Sequence, residues 1–170
     1  LPGLYAIRTD SAGERSFHYW RSQAPARQLF SDAGAVALQA ALADFDLVYV
    51  SGITLAILSA TGRSNLFETL AQIRLRGGTI AFDSNSRPRL WPDESVARRE
   101  ITRGAAAATL ILSSFDDEHL LFGDASPEAS AERLHALGVA EVVIKNGAGD
   151  CLVSLDGEMG NKQRLVTPPE

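Results

Sequence analysis

The sequence predicts an α/β fold, a doubly wound and mainly parallel sheet with antiparallel edge strands and a projecting β-hairpin. Three observations carry this expectation. Four short apolar runs, at 46–51, 79–82, 109–112 and 141–144, alternate with helical segments, the pattern of strands buried in a parallel sheet. After Gly149 the regime changes, because 151–155 and 164–166 flank a turn signal at Asp156-Gly157 and read as an antiparallel pair. Ahead of the alternating region, two β-prone runs at 4–7 and 16–21 are joined by a turn at Thr9 to Glu14. The division that follows is a hairpin with its return segment at 1–31 and an α/β core at 32–170.

Each element has a local reason. The second arm of the hairpin, Ser16-Phe17-His18-Tyr19-Trp20-Arg21, sets aromatics on consecutive positions, so both faces are aromatic and neither is cheaply left to water. Two arrangements satisfy this: a hairpin packed on the core, or a lid with one face over a ligand and the other on a partner chain. Residues 33–43 are rich in Ala and Leu and read as helix. They feed the first buried strand, after which Gly52 lets the backbone turn or approach a ligand closely. A helix is expected over 59–76, with Leu66, Phe67, Leu70, Ile73 and Leu75 as its apolar residues and Gly77-Gly78 as its stop.

Pro92-Asp93-Glu94 starts the next helix, which runs to about Ala108. A further helix opens at Phe115 and stops at Gly123, and another runs from a Ser126 cap through Pro127 to Gly138. Glu132 and His135 on that helix read as a solvated face. The Lys145-Asn146-Gly147-Ala148-Gly149-Asp150 segment lies between two strands. It is therefore expected to be a tight turn and not an anion hole, which needs a helix behind its glycines.

The stretch Ile80 to Trp91 organises the chain, for a short apolar strand runs there into a polar, proline-stiffened loop. Ligands of open parallel sheets bind beyond the carboxyl ends of the strands, which is where Asp83, Asn85 and Arg87 fall. An Arg in that place suits a carboxylate or phosphate, and Asn85 can both donate to and accept from sugar hydroxyls. A plain turn with solvated side chains is the alternative. The cluster Asp116-Asp117-Glu118 sits at a helix start, where carboxylates cap the helix; with Ser114, Asp117 could also organise water, Mg²⁺ and phosphate.

Composition bounds the function. A chain of 170 residues holds one domain with a sizeable core, and a net charge of −5 argues against non-specific nucleic-acid binding. No apolar run is long enough to span a bilayer, and the lone Cys151 fits a reducing compartment, so a cytoplasmic location is expected. His18, His119 and His135 are scattered and outline no direct metal site. The chain begins at Leu1 without a Met and reads as the middle portion of a longer protein.

Taken as an ordered set, Gly3-Leu4-Tyr5, Phe17 to Arg21, Val50 to Ile53, Phe82 to Arg87, Ser113 to Glu118 and Lys145-Asn146-Gly147 resemble the ribokinase-like (PfkB-type) carbohydrate kinases. The likeness is greatest to the branch that phosphorylates 2-keto-3-deoxygluconate. It implies ATP and Mg²⁺ as cofactors and a sugar acid as substrate, while Phe17, Tyr19 and Trp20, giving more apolar surface than one lid face needs, lead us to expect a homodimer or higher homo-oligomer formed through the hairpin. Tyr5, Tyr19, Arg21, Asn85 and Arg87 match substrate-binding positions, Ser114, Lys145, Asn146 and Gly147 match nucleotide-side positions, and Asp117 matches the phosphate and Mg²⁺ network. Ser86 stands where the family has an aromatic residue, and Asp150 where it has glycine. The segment carrying the family's catalytic Asp is expected beyond Glu170, so no catalytic residue is assigned within the chain. A ribose or fructose kinase, and a binding or scaffolding domain without chemistry, are the other readings.

Overall fold

The computed structural model describes residues 2–156 and 162–167. Strands β1 (Leu4–Thr9) and β2 (Arg15–Trp20) form the expected antiparallel hairpin, with Tyr5 opposite Tyr19 and Ile7 opposite Phe17. Asp10 closes its turn by accepting the Ala12 and Glu14 amides, both at 2.9 Å. The chain returns through a 3₁₀ turn at Pro25–Gln28 to helix α1 (Asp32–Leu42).

The core alternates β3 (Leu47–Ser51), α2 (Gly52–Ile57), α3 (Ala60–Leu75), β4 (Thr79–Asp83), α4 (Glu94–Ala107), β5 (Leu110–Ser114), α5 (Phe115–Phe122), α6 (Pro127–His135) and β6 (Glu141–Lys145). Strands β7 (Cys151–Leu155) and β8 (Lys162–Val166) complete it. Helix ends follow the capping residues: Ser59 accepts the Gly62 amide at 3.0 Å, Asp93 that of Val96 at 2.9 Å, and Ser126 that of Ala129 at 3.2 Å. Gly123 ends α5 with φ 77°, a conformation glycine adopts without strain. Several boundaries move by a few residues, and the short helix α2 after Gly52 was not expected. Helix α6 stops at His135, and β8 starts at Lys162 rather than Arg164. The Gly157 half of the expected turn lies outside the described residues.

The six strands of the main sheet stand in chain order, β3-β4-β5-β6-β7-β8, with three parallel pairings followed by two antiparallel ones. Among the described strands the winding therefore runs in one direction. Right-handed crossovers then carry successive helices to the same face. That face presents Val48, Val50, Ile80, Phe82, Ile111, Val142, Ile144 and Leu152, each 8% exposed or less. On the opposite face Leu47, Tyr49 and Leu155 remain 44–54% exposed.

Two glycines set how closely the helices approach. A Cβ on Gly104 of α4 would lie 2.6 Å from the Phe82 ring, so α4 rests directly on β4. At Gly52, the first residue of α2, a Cβ would stand 1.9 Å from the Ser84 carbonyl oxygen. The close approach at Gly52 is thus to the protein's own backbone, where the sequence suggested a plain turn or a ligand.

His135 corrects the solvated-face expectation, although its neighbour Glu132 is exposed. The imidazole is 7% exposed; Nδ1 lies 2.7 Å from the Val139 carbonyl oxygen and Nε2 lies 2.8 Å from Ser154 Oγ on β7. A carbonyl only accepts, so Nδ1 carries a proton, and in the neutral ring Ser154 then donates to Nε2. A second buried polar group is Glu118, held by Arg133, which also binds Asp124. Burial opposes the Arg133 charge, yet the hydrogen bond it donates to Asp124 and the Glu118 charge outweigh it and keep the guanidinium firmly protonated.

Candidate functional site

The carboxyl ends of β4, β5 and β6 carry a continuous polar network. Asp83, the last residue of β4, is largely buried; its Oδ1 accepts the Asn85 amide at 2.9 Å and its Oδ2 accepts Lys145 Nζ at 2.9 Å. Ser113 on β5 accepts the Ser84 amide at 3.2 Å. With Ser113 and Asp83 holding these amides, Asn85 adopts φ 32°, which Asn tolerates better than most side chains. Tyr49 on β3 flanks this corner: burial, then the Asp83 carboxylate, push its hydroxyl pKa up, while Lys145 opposes them.

The loop continues to Arg87, whose Nη1 donates to the Ser86 carbonyl at 2.7 Å and lies 3.9 Å from Asp117 Oδ1. Ser114 donates to the other Asp117 oxygen at 3.0 Å. Both contacts use Nη1, so with Arg87 half exposed its Nε and Nη2 are left to meet a ligand.

The hairpin closes one side of this crest. Tyr19, Arg21, Arg87, Arg89, Ile53 and Leu90 line one cleft of about 970 Å³. Tyr5 joins Tyr19, Arg21, Ile53 and Ile57 in an adjoining hollow. Arg21 stacks on Tyr19 with its guanidinium carbon 4.0 Å from the ring centroid, and Phe17 stacks on Tyr19 at 6.0 Å. The hairpin does not use its aromatics to pack on the core: Leu4, Tyr5, Ile7, Phe17, Tyr19 and Trp20 are all exposed.

The structure thus brings Tyr5, Tyr19, Arg21 and Arg87 to the hairpin side. Asn85 sits at the base of the Arg87 loop, and Ser114, Asp117 and Lys145 line the strand ends beyond it. Asn146 and Gly147 lie in the β6–β7 turn, where Gly147 has φ 57° and the Asn146 carbonyl accepts the Gly149 amide at 2.8 Å. That turn has strands on both sides, as expected. Sequence reasoning missed the Asp83 to Lys145 contact, and also Arg89 and Ile53 as cleft residues. A second Arg two positions past Arg87 was the available signal for Arg89.

No group of three or more potential metal-ligating side chains occurs among the described residues. Mg²⁺ carried by phosphates needs only one or two protein carboxylates, and Asp117 is a carboxylate at these strand ends. No helix of the described residues is long and apolar enough to cross a membrane.

Comparison with known proteins gives the family. The model of the pfkB family carbohydrate kinases matches residues 1–170. The 2-dehydro-3-deoxygluconokinase of Dickeya dadantii is 44% identical over 158 residues, covering 93% of this chain and 51% of that protein. The enzyme of the same name from Haemophilus influenzae is 38% identical over 90% of the chain and 49% of its own length. The chain therefore spans about half the length of the curated relatives it matches. A PfkB protein crystal structure from Polaromonas superposes with a TM-score of 0.81 at 26% identity, over 98% of this chain and 54% of that one. With a family model along its whole length and a ribokinase-like α/β architecture, the chain belongs to the pfkB family of carbohydrate kinases.

Proposed function

We propose that this chain forms the middle of an ATP-dependent kinase that transfers the γ-phosphoryl group to a hydroxyl of 2-keto-3-deoxygluconate or a closely related sugar acid. The observation that carries the reading is the meeting of Arg21 and Arg87, distant in sequence, with Tyr19 in one cleft at the strand ends. Two guanidinium groups on one small ligand suit a carboxylate-bearing sugar. Relatives named for 2-dehydro-3-deoxygluconate support the same choice. A fructokinase of Vibrio alginolyticus is 30% identical over 84% of the chain, but a neutral sugar gives the two arginines no anion to bind.

In this reading Tyr5, Tyr19, Arg21, Asn85 and Arg87 hold the sugar acid. Ser114, Asn146 and Gly147 border the nucleotide, Lys145 lies at the same strand end, and Asp117 faces phosphate and Mg²⁺. Mg²⁺ held with the phosphates beside Asp117 would neutralise phosphate charge; the residues of this chain orient the two substrates and exclude water from between them. The proton acceptor and the anion-hole amides are assigned to the other half of the full-length protein. The segment 1–31 acts as a lid over the core 32–170, in a protein that works in the cytoplasm.

Arg87→Ala in the full-length protein is the test. Calorimetric titration is expected to give sugar-acid affinity lower by about 2 kcal/mol, roughly thirtyfold, with ATP affinity little changed. A loss confined to ATP would place the Arg87 loop on the wrong half of the site.

The hairpin also serves as a homodimer contact in this proposal. Its aromatic residues leave more apolar surface exposed than one ligand-facing side uses. Sedimentation velocity at micromolar concentration is expected to give a dimer or higher oligomer; a monomer refutes the contact.

A further inference from the structure

We propose that Asp83 and Lys145 form a positioning pair that sets the Arg87 loop, so that Lys145, although it ends the nucleotide-side strand β6, acts on the sugar-acid side. The inference rests on the functional reading above for its substrate. Its geometry stands independently.

Strand β5 lies between β4 and β6, and the Lys145 side chain reaches across its end to place Nζ 2.9 Å from Asp83 Oδ2. The two residues differ in exposure: the Asp83 side chain is 13% exposed and that of Lys145 47%. A mostly buried carboxylate needs a compensating charge, and Lys145 is the cation that contacts it among the described residues. Asp83 also accepts the Asn85 amide through its other oxygen, at 2.9 Å. One carboxylate thus joins the end of β6 to the start of the loop that bears Arg87.

The adjacent amide, of Ser84, goes to Ser113 on β5, which fixes the loop sideways but supplies no charge. Asn85 at φ 32° is outside the broad allowed regions, a conformation that persists only where its surroundings hold it. Losing the Lys145 charge leaves the mostly buried Asp83 carboxylate to draw on water in its place, which loosens its hold on the Asn85 amide and lets the Arg87 guanidinium wander from its place in the cleft. An ammonium committed to Asp83 is a poor phosphate ligand at the same moment, which is why the effect falls on the sugar acid.

The experiment uses the full-length protein carrying Lys145→Met, Lys145→Arg or Asp83→Asn. Lys145 is half exposed, so its replacement leaves the core packing intact. With 2-keto-3-deoxygluconate as substrate, Lys145→Met is expected to raise the KM for the sugar acid about tenfold while KM for ATP stays within about twofold. Lys145→Arg keeps the charge and should restore most of the loss. Asp83→Asn should give the same split, and combining it with Lys145→Met should add little, because both break one contact. Deuterium exchange of the peptide spanning 84–90 is expected to be faster in Lys145→Met than in the wild type. A rise confined to the ATP KM, or exchange unchanged by Lys145→Met, overturns the pair. Wild-type protein inactive on any sugar acid refutes the functional reading instead, and the exchange measurement still decides the pair.

Discussion

Replacing Arg133 by Met is expected to destabilise the protein by about 3–5 kcal/mol, the cost of leaving a buried charge without its partner. Glu118 is 1% exposed, and Arg133 supplies the contact to its Oε2 while also gripping Asp124 with three hydrogen bonds of 2.7–3.1 Å. The second Glu118 oxygen has no partner among the described residues, so Arg133 carries the compensation for that carboxylate. Methionine keeps the unbranched stem that lies by Phe122, whose ring is 4.0 Å from the guanidinium carbon, which isolates the charge effect from packing. Urea denaturation of the full-length protein measures it. Adding Glu118→Gln should recover part of the loss, since an amide costs less to bury than an unpaired carboxylate. A single-variant loss under 1 kcal/mol would mean that water already reaches Glu118.

Gly52→Ala is expected to cost about 3 kcal/mol, at the upper end of what overpacking costs in a filled core. The methyl would meet the Ser84 carbonyl oxygen at 1.9 Å, and backbone on both sides leaves no flexible side chain to yield. Relief requires Ser84 to move, and Ser84 stands between Asp83 and Asn85. The substitution should therefore weaken the sugar acid as well as lower the melting temperature, while Gly77→Ala, strained only by its own φ of 82° and facing open space, should spare ligand binding. Thermal melts and sugar-acid titration on the two variants separate these effects. Full sugar-acid affinity in Gly52→Ala would show that the α2 start and the loop are not rigidly joined.

The difference between these two glycines marks how far the sequence could be read. Strand and helix positions were legible because period and punctuation agree: Gly123 and the Asp93 cap fall where α5 ends and α4 begins. The hairpin was legible from its turn and its aromatics. His135 was not, since a histidine on a helix is polar by type and its burial depends on Ser154, which a different strand supplies. Asp83 to Lys145 was hidden for the same reason: each is a plausible loop residue, and only the sheet order brings them together. Arg87 was legible from its place beyond a strand end and Arg21 through likeness to a family, but their meeting under the hairpin depends on the path of the return segment, which no local pattern encodes.

The strand order of the main sheet bears on how the protein is made. Every strand from β4 to β8 pairs with the strand synthesised just before it, and none inserts between two earlier ones. On the ribosome the sheet can grow one edge at a time, each new strand docking on a template that already exists, with loop closure confined to one crossover per step. The growing edge is then the part of the nascent chain most exposed to pairing with other molecules, and each arriving strand covers the edge left by the last.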